Sequence, residues 1–239
     1  MDRLTYRIAV RLVPGGTGSA EAHALAVGAV VLVSGPRQAF PFVPKGPLLF
    51  VAGGIGITPI LPMVHWSAVH GHDYRLVYTG RSRAAMPFLD ELPISARVRV
   101  RTDEAGLPTS HELLADAPEG ASLYVCGPTP LLEALRHAWS GPVHFERFAP
   151  PPIQDGDPFE LRLGRGGPVV PVAANESALT ALRRVNPDVA YSCRQGFCGT
   201  CEVRVVPGAV DHRGYLPSTE DGMLICVARA AGARVVLDM

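Results

Sequence analysis

Lysine is nearly missing from this chain. Lys45 is the only one, so arginine carries almost all of the 22 basic charges, a coding bias with no functional content. The basic charges are offset by 22 acidic residues. A formal net charge of zero argues against an electrostatic nucleic-acid binder, which needs a basic face. Long apolar runs are also lacking. The longest, Leu48 to Val64, is interrupted by Gly53, Gly54, Gly56, Pro59 and Pro62, and it is shorter than the roughly 20 residues of a membrane-spanning helix. No membrane association is expected. Met1 to Val13 alternates charge with apolar residues where a secretory signal would be continuously apolar, so the expected location is cytoplasmic.

Cysteine is scarce: there are five, and four of them fall late in the chain. That suits a metal centre in a reducing compartment better than a disulfide framework. Neither a Ser/His/Asp hydrolase elbow nor a pair of catalytic carboxylates stands out. His65, His70, His72, His111, His137 and His144 are scattered without a ligand-like grouping and read as solvated or core residues.

What is present reads as three pieces. Residues 1–46 hold a strand pattern, Tyr6, Ile8, Val10 and Leu12 alternating with Arg7, Ala9 and Arg11. A glycine-rich turn (Gly15, Gly16, Gly18) and a second strand, Ala29 to Val33, follow. This is too little to close a barrel, so a partial antiparallel β-barrel is expected. Residues 47–148 alternate short apolar runs (48–52, 74–79, 98–102, 122–126, 143–146) with helix-like stretches, the rhythm of a parallel α/β nucleotide-binding domain. A proline-stiffened linker covers 149–157. Residues 158–239 run hairpin, helix, cysteine loop, strand, the order of an α+β β-grasp ferredoxin domain.

The sharpest motif is Cys193-Arg-Gln-Gly-Phe-Cys198-Gly-Thr-Cys201, with Cys226 following after a long gap. C-x4-C-x2-C plus a distant cysteine is the plant-type spacing for a 2Fe-2S cluster. Three thiolates must wrap one cluster from a single tight loop, and Gly196 and Gly199 let backbone N–H groups approach the sulfurs. A zinc site remains as an alternative, although zinc sites usually pair two short C-x2–4-C units and Cys226 has no near neighbour.

A second motif, Gly53-Gly54-Ile55-Gly56-Ile57-Thr58-Pro59, runs from an apolar strand into a helix. Glycines there let a phosphate approach the helix N-terminus, where free N–H groups and the dipole favour anions. A tight structural turn is the competing reading, since G-x-G-x-x-G is not matched.

Cys193–Cys201, Val206-Pro207-Gly208, Asp211-His212-Arg213 and Ile225-Cys226-Val227 together resemble the C-terminal domain of the phthalate dioxygenase reductase family. Gly53–Pro59, Tyr78-Thr-Gly-Arg81-Ser82 and Tyr124-Val-Cys126-Gly127-Pro128 are similar to the ferredoxin–NADP reductase superfamily, in the same order. The resemblance implies NAD(P)H bound at Gly53, Gly54, Gly56, Thr58, Arg81, Ser82, Cys126, Gly127 and Pro128. It also implies a cluster on Cys193, Cys198, Cys201 and Cys226, with NADH as the reductant.

The expected path runs from NADH through FMN to the cluster and on to a partner oxygenase, a Rieske enzyme or a cytochrome P450. Flavin is expected because hydride brings two electrons while the cluster takes one. Gly16 and Ser19 resemble the family's flavin phosphate turn, and Phe148 stands where the family stacks an aromatic ring. The family's Arg-x-Tyr-Ser flavin strand is absent, and Asp2–Leu12 and Ser34–Arg37 match only the latter half of its flavin domain. The alternative is a flavin-less electron carrier with a vestigial nucleotide domain.

Overall fold

The computed structural model describes residues 5–33, 35 and 38–239. One compact unit ends at Glu146 and a second spans Arg147–Met239.

In the first unit the apolar runs become five strands: β1 (Leu48–Gly53), β2 (Tyr74–Gly80), β3 (Val98–Thr102), β4 (Ser122–Cys126) and β5 (Val143–Glu146). They pair in parallel in the order β3-β2-β1-β4-β5. A strand covered on both faces has no reason to alternate, and β1 is buried at every position. Leu48, Phe50 and Ala52 pack toward helix α2 (Ile57–Val69) with Ile57, Ile60 and Val64. Leu49 and Val51 join the opposite cluster, where helices α3 (Ser110–Leu114) and α4 (Thr129–Ala138) contribute Leu113, Leu132 and Leu135. This is the expected parallel α/β domain.

The residues before β1 depart from expectation. No strand forms among the described residues ahead of Leu48, so the partial barrel is not built. The glycine-rich turn instead starts a helix, α1 (Thr17–Ala24), that buries nothing. Ser19 Oγ accepts from Val13 N–H at 3.1 Å and donates to the Gly16 carbonyl at 3.0 Å, folding the turn onto itself. Tyr6, Ile8, Val30 and Leu32 are 76, 81, 98 and 103% exposed. The alternation is present, but no neighbouring strand accepts its hydrogen bonds or covers its apolar face. Asp2 to Leu4, Ser34, Pro36 and Arg37 lie outside the described residues.

The second unit opens with the hairpin β6 (Phe159–Leu163) and β7 (Val169–Val172), and β12 (Arg234–Leu237) returns parallel beside β6. Helix α5 (Ala178–Leu182), capped by Ser177 accepting from Thr180 N–H, buries Ala178, Leu179, Ala181 and Leu182 against this sheet. Two short ribbons complete it: β8 (Glu202–Arg204) with β10 (Gly222–Leu224), and β9 (Val210–Asp211) with β11 (Arg229–Ala230). Cys201 and Cys226 belong to the same apolar core.

Candidate nucleotide and cluster sites

The strand order reverses between β1 and β4, and a crevice opens at such a switch point beyond the strands' C-terminal ends. Both sequence motifs of the first unit meet there. A Cβ on Gly53 would stand 2.7 Å from Pro128 Cδ and 2.8 Å from Leu131 Cδ2, and one on Gly56 would enter the Cys126 carbonyl. Gly127 in turn has Gly53 Cα 3.1 Å from where its own Cβ would be. Most of these glycines therefore serve to press the two loops together. Gly54 differs: it is left-handed (φ 55°) and faces open space. The turn reading and the phosphate reading thus fall on different glycines of one motif.

Two helices start at this crevice, α2 from Gly56 and α4 from Pro128, and neither has a side-chain cap. The Ile57 N–H at the start of α2 already donates to the Gly54 and Ile55 carbonyls, and Pro59 in α2 and Pro130 in α4 carry no N–H, so only part of each first turn can face an anion. Thr58 Oγ1 donates to the Ile55 carbonyl at 3.0 Å and braces the turn. The single Tyr78 hydroxyl proton has two carbonyls in hydrogen-bond reach, Gly54 (3.1 Å) and Pro87 (3.0 Å), tying the end of β2 to the same loop. Arg81 and Ser82 follow β2, Arg81 fully exposed and Ser82 half-buried.

Cys126 ends β4 in register with Glu146 on β5. Burial, reinforced by the Glu146 carboxylate, pushes the Cys126 thiol well above its ordinary range, and burial raises Glu146 as well. Cys126 is therefore a neutral thiol, suited to packing beside an uncharged ring rather than to nucleophilic attack.

In the second unit Cys198, Cys201 and Cys226 are buried and Cys193 is half-buried, and the four thiols lie in mutual electrostatic reach: Cys198 feels Cys193, Cys201 feels Cys226 and Cys198, and Cys226 feels Cys201 and Cys193. Among the described residues no three His, Cys, Asp or Glu side chains close around a single ion. Four thiols in mutual reach, three of them on one C-x4-C-x2-C loop, fit a binuclear cluster of the plant type.

The donor chemistry agrees. Burial opposes ionisation of Cys198, yet hydrogen bonds from Thr200 and Cys193 bring its thiol down to about 7. The bond to Cys226 brings Cys201 to about 7, and the same contact pushes Cys226 up. Backbone N–H groups point inward: Gln195 donates to Cys193 Sγ at 3.3 Å and Gly196 to the Cys226 sulfur. Gly196 is left-handed (φ 81°), and Val227 Cγ2 stands 2.9 Å from where a Cβ would be, with the Tyr215 ring closer still. Only glycine fits there.

Residues 164–231 match the family model described as "2Fe-2S iron-sulfur cluster binding domain". A putative toluene-4-sulfonate monooxygenase system reductase subunit of Comamonas testosteroni is 40% identical over 230 residues, covering 90% of this chain and 73% of that protein. Phthalate dioxygenase reductase of Burkholderia cepacia is 34% identical over 258 residues, covering all of this chain and 80% of that protein. The chain belongs to the phthalate dioxygenase reductase family. Among solved structures, an intact type IV self-sufficient cytochrome P450 monooxygenase matches 93% of this chain at a TM-score of 0.63 and 39% identity. This chain spans 31% of that polypeptide. Members of this family are oxidoreductase components, and the chain is one of them.

Of the residues named for flavin, Gly16 and Ser19 belong to the first unit and Phe148 to the second. Gly16 and Ser19 lie at the start of α1, which has open N–H groups but no barrel wall beside it. Phe148 is 49% exposed and belongs to the second unit. Two features carried no sequence signal. One is the register of β5, which sets Glu146 opposite Cys126. The other is Arg229, 2% exposed, whose guanidinium donates to the carbonyls of Asp157 (2.7 Å), Ala173 (3.1 Å) and Glu176 (2.7 Å). Backbone carbonyls leave no trace in side-chain patterns.

Proposed function

We propose that this chain is the reductase component of an oxygenase system, moving electrons from NADH through FMN to a 2Fe-2S cluster and on to a partner oxygenase. The observation that carries this reading is the set of Cys193, Cys198, Cys201 and Cys226 in mutual reach, in a chain whose other unit ends in a dinucleotide-type switch point. When bound, flavin accepts a hydride pair and releases electrons singly, and the cluster takes them one at a time.

The chain's own residues act as follows. Gly54 and the uncapped starts of α2 and α4 hold the pyrophosphate, with Thr58 bracing the turn. Arg81 and Ser82, at the end of β2, lie on the adenosine side. Cys126, Gly127 and Pro128 floor the nicotinamide pocket, and the neutral Cys126 thiol presents no charge to the ring. Glu146, raised by burial, can hold a proton beside it. Cys193, Cys198, Cys201 and Cys226 ligate the cluster, and the N–H groups of Gln195 and Gly196 stabilise its sulfur charge. Residues 1–46 correspond in sequence to part of the family's flavin domain, with the start of α1 at Gly16 and Ser19 as its phosphate end. Relatives named as oxygenase-system reductase subunits, and one fused to a cytochrome P450, support a Rieske-type or P450 partner.

A specific observation favours the second reading, a flavin-less carrier: among the described residues nothing ahead of β1 forms a wall for an isoalloxazine ring. Anaerobic addition of NADH to the purified, cluster-loaded chain separates the two. Bleaching of flavin and cluster absorption establishes the reductase. Cluster bands that ignore NADH and bleach with dithionite establish the carrier.

A further inference from the structure

Glu202 stands directly after Cys201, at the start of β8, and one short stretch of chain claims its carboxylate. Ser218 donates from its N–H to both oxygens, at 3.0 Å to Oε1 and 2.9 Å to Oε2, and from Oγ to Oε2 at 2.6 Å. Thr219 donates to Oε1 from its N–H and from Oγ1, each at 3.1 Å. All of these donors are neutral, and they sit on two consecutive residues. The fold leaves space for the arrangement at Gly222, where β10 begins. A Cβ there would enter Glu202 Oε1 and stand 2.8 Å from Thr219 Oγ1. The Gly222 N–H also donates to the Thr219 carbonyl at 3.1 Å, so the segment closes on the same residues from its far end.

Between β9 and β10, residues 212–221 run without helix or strand. Near the start the Tyr215 N–H donates to the His212 carbonyl at 2.9 Å, and near the end Glu202 holds Ser218 and Thr219. Leu216, between these ties, is 88% exposed and anchors nothing. Polar bonds to one carboxylate therefore replace apolar packing along the second half of the segment. The Tyr215 ring, just ahead of that half, lies on Gly196 in the middle of the cysteine loop, with its Cγ 2.8 Å from where a Cβ would be. The residue that leaves the cysteine loop thus holds the segment whose aromatic ring covers it.

We propose that Glu202 is a positioning residue: its carboxylate latches residues 212–221 across the cysteine loop and keeps the Tyr215 ring seated on Gly196, so that opening of the latch is the step by which water and chelators reach the cluster. This rests on ligation of the cluster by Cys193, Cys198, Cys201 and Cys226, as in the reductase reading. Well-shielded hydrogen bonds to an ionised acceptor are each worth about tenfold or more in an opening equilibrium. Glu202 is only half-buried, so about tenfold is expected for the latch as a whole.

The test uses the full chain loaded with its cluster and reads two rates. One is backbone hydrogen exchange of residues 212–221, followed by mass spectrometry. The other is bleaching of the visible cluster bands by an iron chelator. In Glu202→Ala both rise about tenfold, while exchange over β6 and β12 keeps its wild-type rate. Glu202→Gln, whose amide retains one accepting oxygen, gives a smaller rise and carries the test should the alanine variant fail to take up its cluster. Ser218→Ala combined with Thr219→Ala removes both hydroxyl donors. It speeds both rates in the wild-type background and adds nothing once Glu202 is alanine, the non-additivity of groups that act on each other. Wild-type exchange in a cluster-bearing alanine variant overturns the proposal, as do additive effects or a rise spread evenly over the second unit. Faster exchange without faster bleaching overturns it too. Failure of the ligand assignment looks different: even the wild-type chain then shows no cluster bands after reconstitution with iron and sulfide, while the exchange comparison still decides whether Glu202 holds the segment.

Discussion

Phe159, Leu161 and Leu163 alternate with Glu160 and Arg162, just as Tyr6, Ile8, Val10 and Leu12 alternate with Arg7, Ala9 and Arg11. The first set lies between β12 and β7, with Phe159 4% and Leu161 0% exposed. In the second set Tyr6, Ile8 and Leu12 are 76, 81 and 54% exposed and pair with no strand. The two-residue period states which face wants burial. It does not supply the partner. A strand needs neighbours for its N–H and C=O groups, and those neighbours come from elsewhere in the chain. The ferredoxin unit brings β12 back from the far end of the chain to provide one.

The largest contrast between the regions is expected at the cluster. Cys193→Ser or Cys201→Ser should abolish cluster assembly, read as loss of visible absorption and of bound iron and sulfide, while the first unit still unfolds at the wild-type midpoint. A variant that kept its cluster spectrum would overturn the ligand assignment. By contrast, Gly16→Ala and Ser19→Ala at the start of α1 should leave cluster content unchanged.

Next come the two alternating stretches themselves. Leu161→Ala removes a fully buried side chain from the β-grasp core and should cost about 2–5 kcal/mol in chemical denaturation of the second unit. Ile8→Ala should change stability by no more than about 0.5 kcal/mol. A large loss for Ile8→Ala would mean that residues 6–12 are covered in solution by something that orders them as a strand.

Two arginines sharpen the same comparison. Arg229 is buried, lies over the Phe159 ring at 4.9 Å and holds three carbonyls. Arg229→Ala strands those carbonyls and should destabilise the second unit by roughly 2–4 kcal/mol. Arg7 pairs with Glu91 at 2.6 Å and lies over the Phe88 ring at 4.7 Å, but the pair is open to solvent. Arg7→Ala should produce no resolvable change in a denaturant melt, as for most surface pairs.

The 2Fe-2S domain and the glycine-rich strand-to-helix turn were legible in the sequence because each demands fixed residue types at short spacing. Cys193, Cys198 and Cys201 fall on one loop, and Gly53 to Pro59 on one strand-to-helix turn. The five parallel strands were legible because burial on both faces makes them continuously apolar. What could not be read depended on distant partners. Whether Tyr6 to Leu12 pairs, which carbonyls Arg229 holds, and which residue faces Cys126 are all settled by groups far away in sequence. The helix at Thr17–Ala24 was hidden by Gly15, Gly16 and Gly18, whose composition reads as a turn until Ser19 is seen bonding back to Val13.

The smallest expected effect tests one of those hidden registers. Glu146 sits opposite Cys126 at the edge of the switch point, and burial raises its pKa in the folded chain. The fold therefore favours the protonated carboxyl. That contribution is fully present below the ordinary carboxylate value and is lost as pH rises through the raised one. Wild-type stability of the first unit should decline over this window, and Glu146→Gln, which is neutral throughout, should flatten the decline. Denaturation midpoints measured across that pH range, with and without the substitution, decide it. Parallel curves would mean that Glu146 titrates as a solvated carboxylate and that the β4–β5 register does not bring the two groups into electrostatic contact.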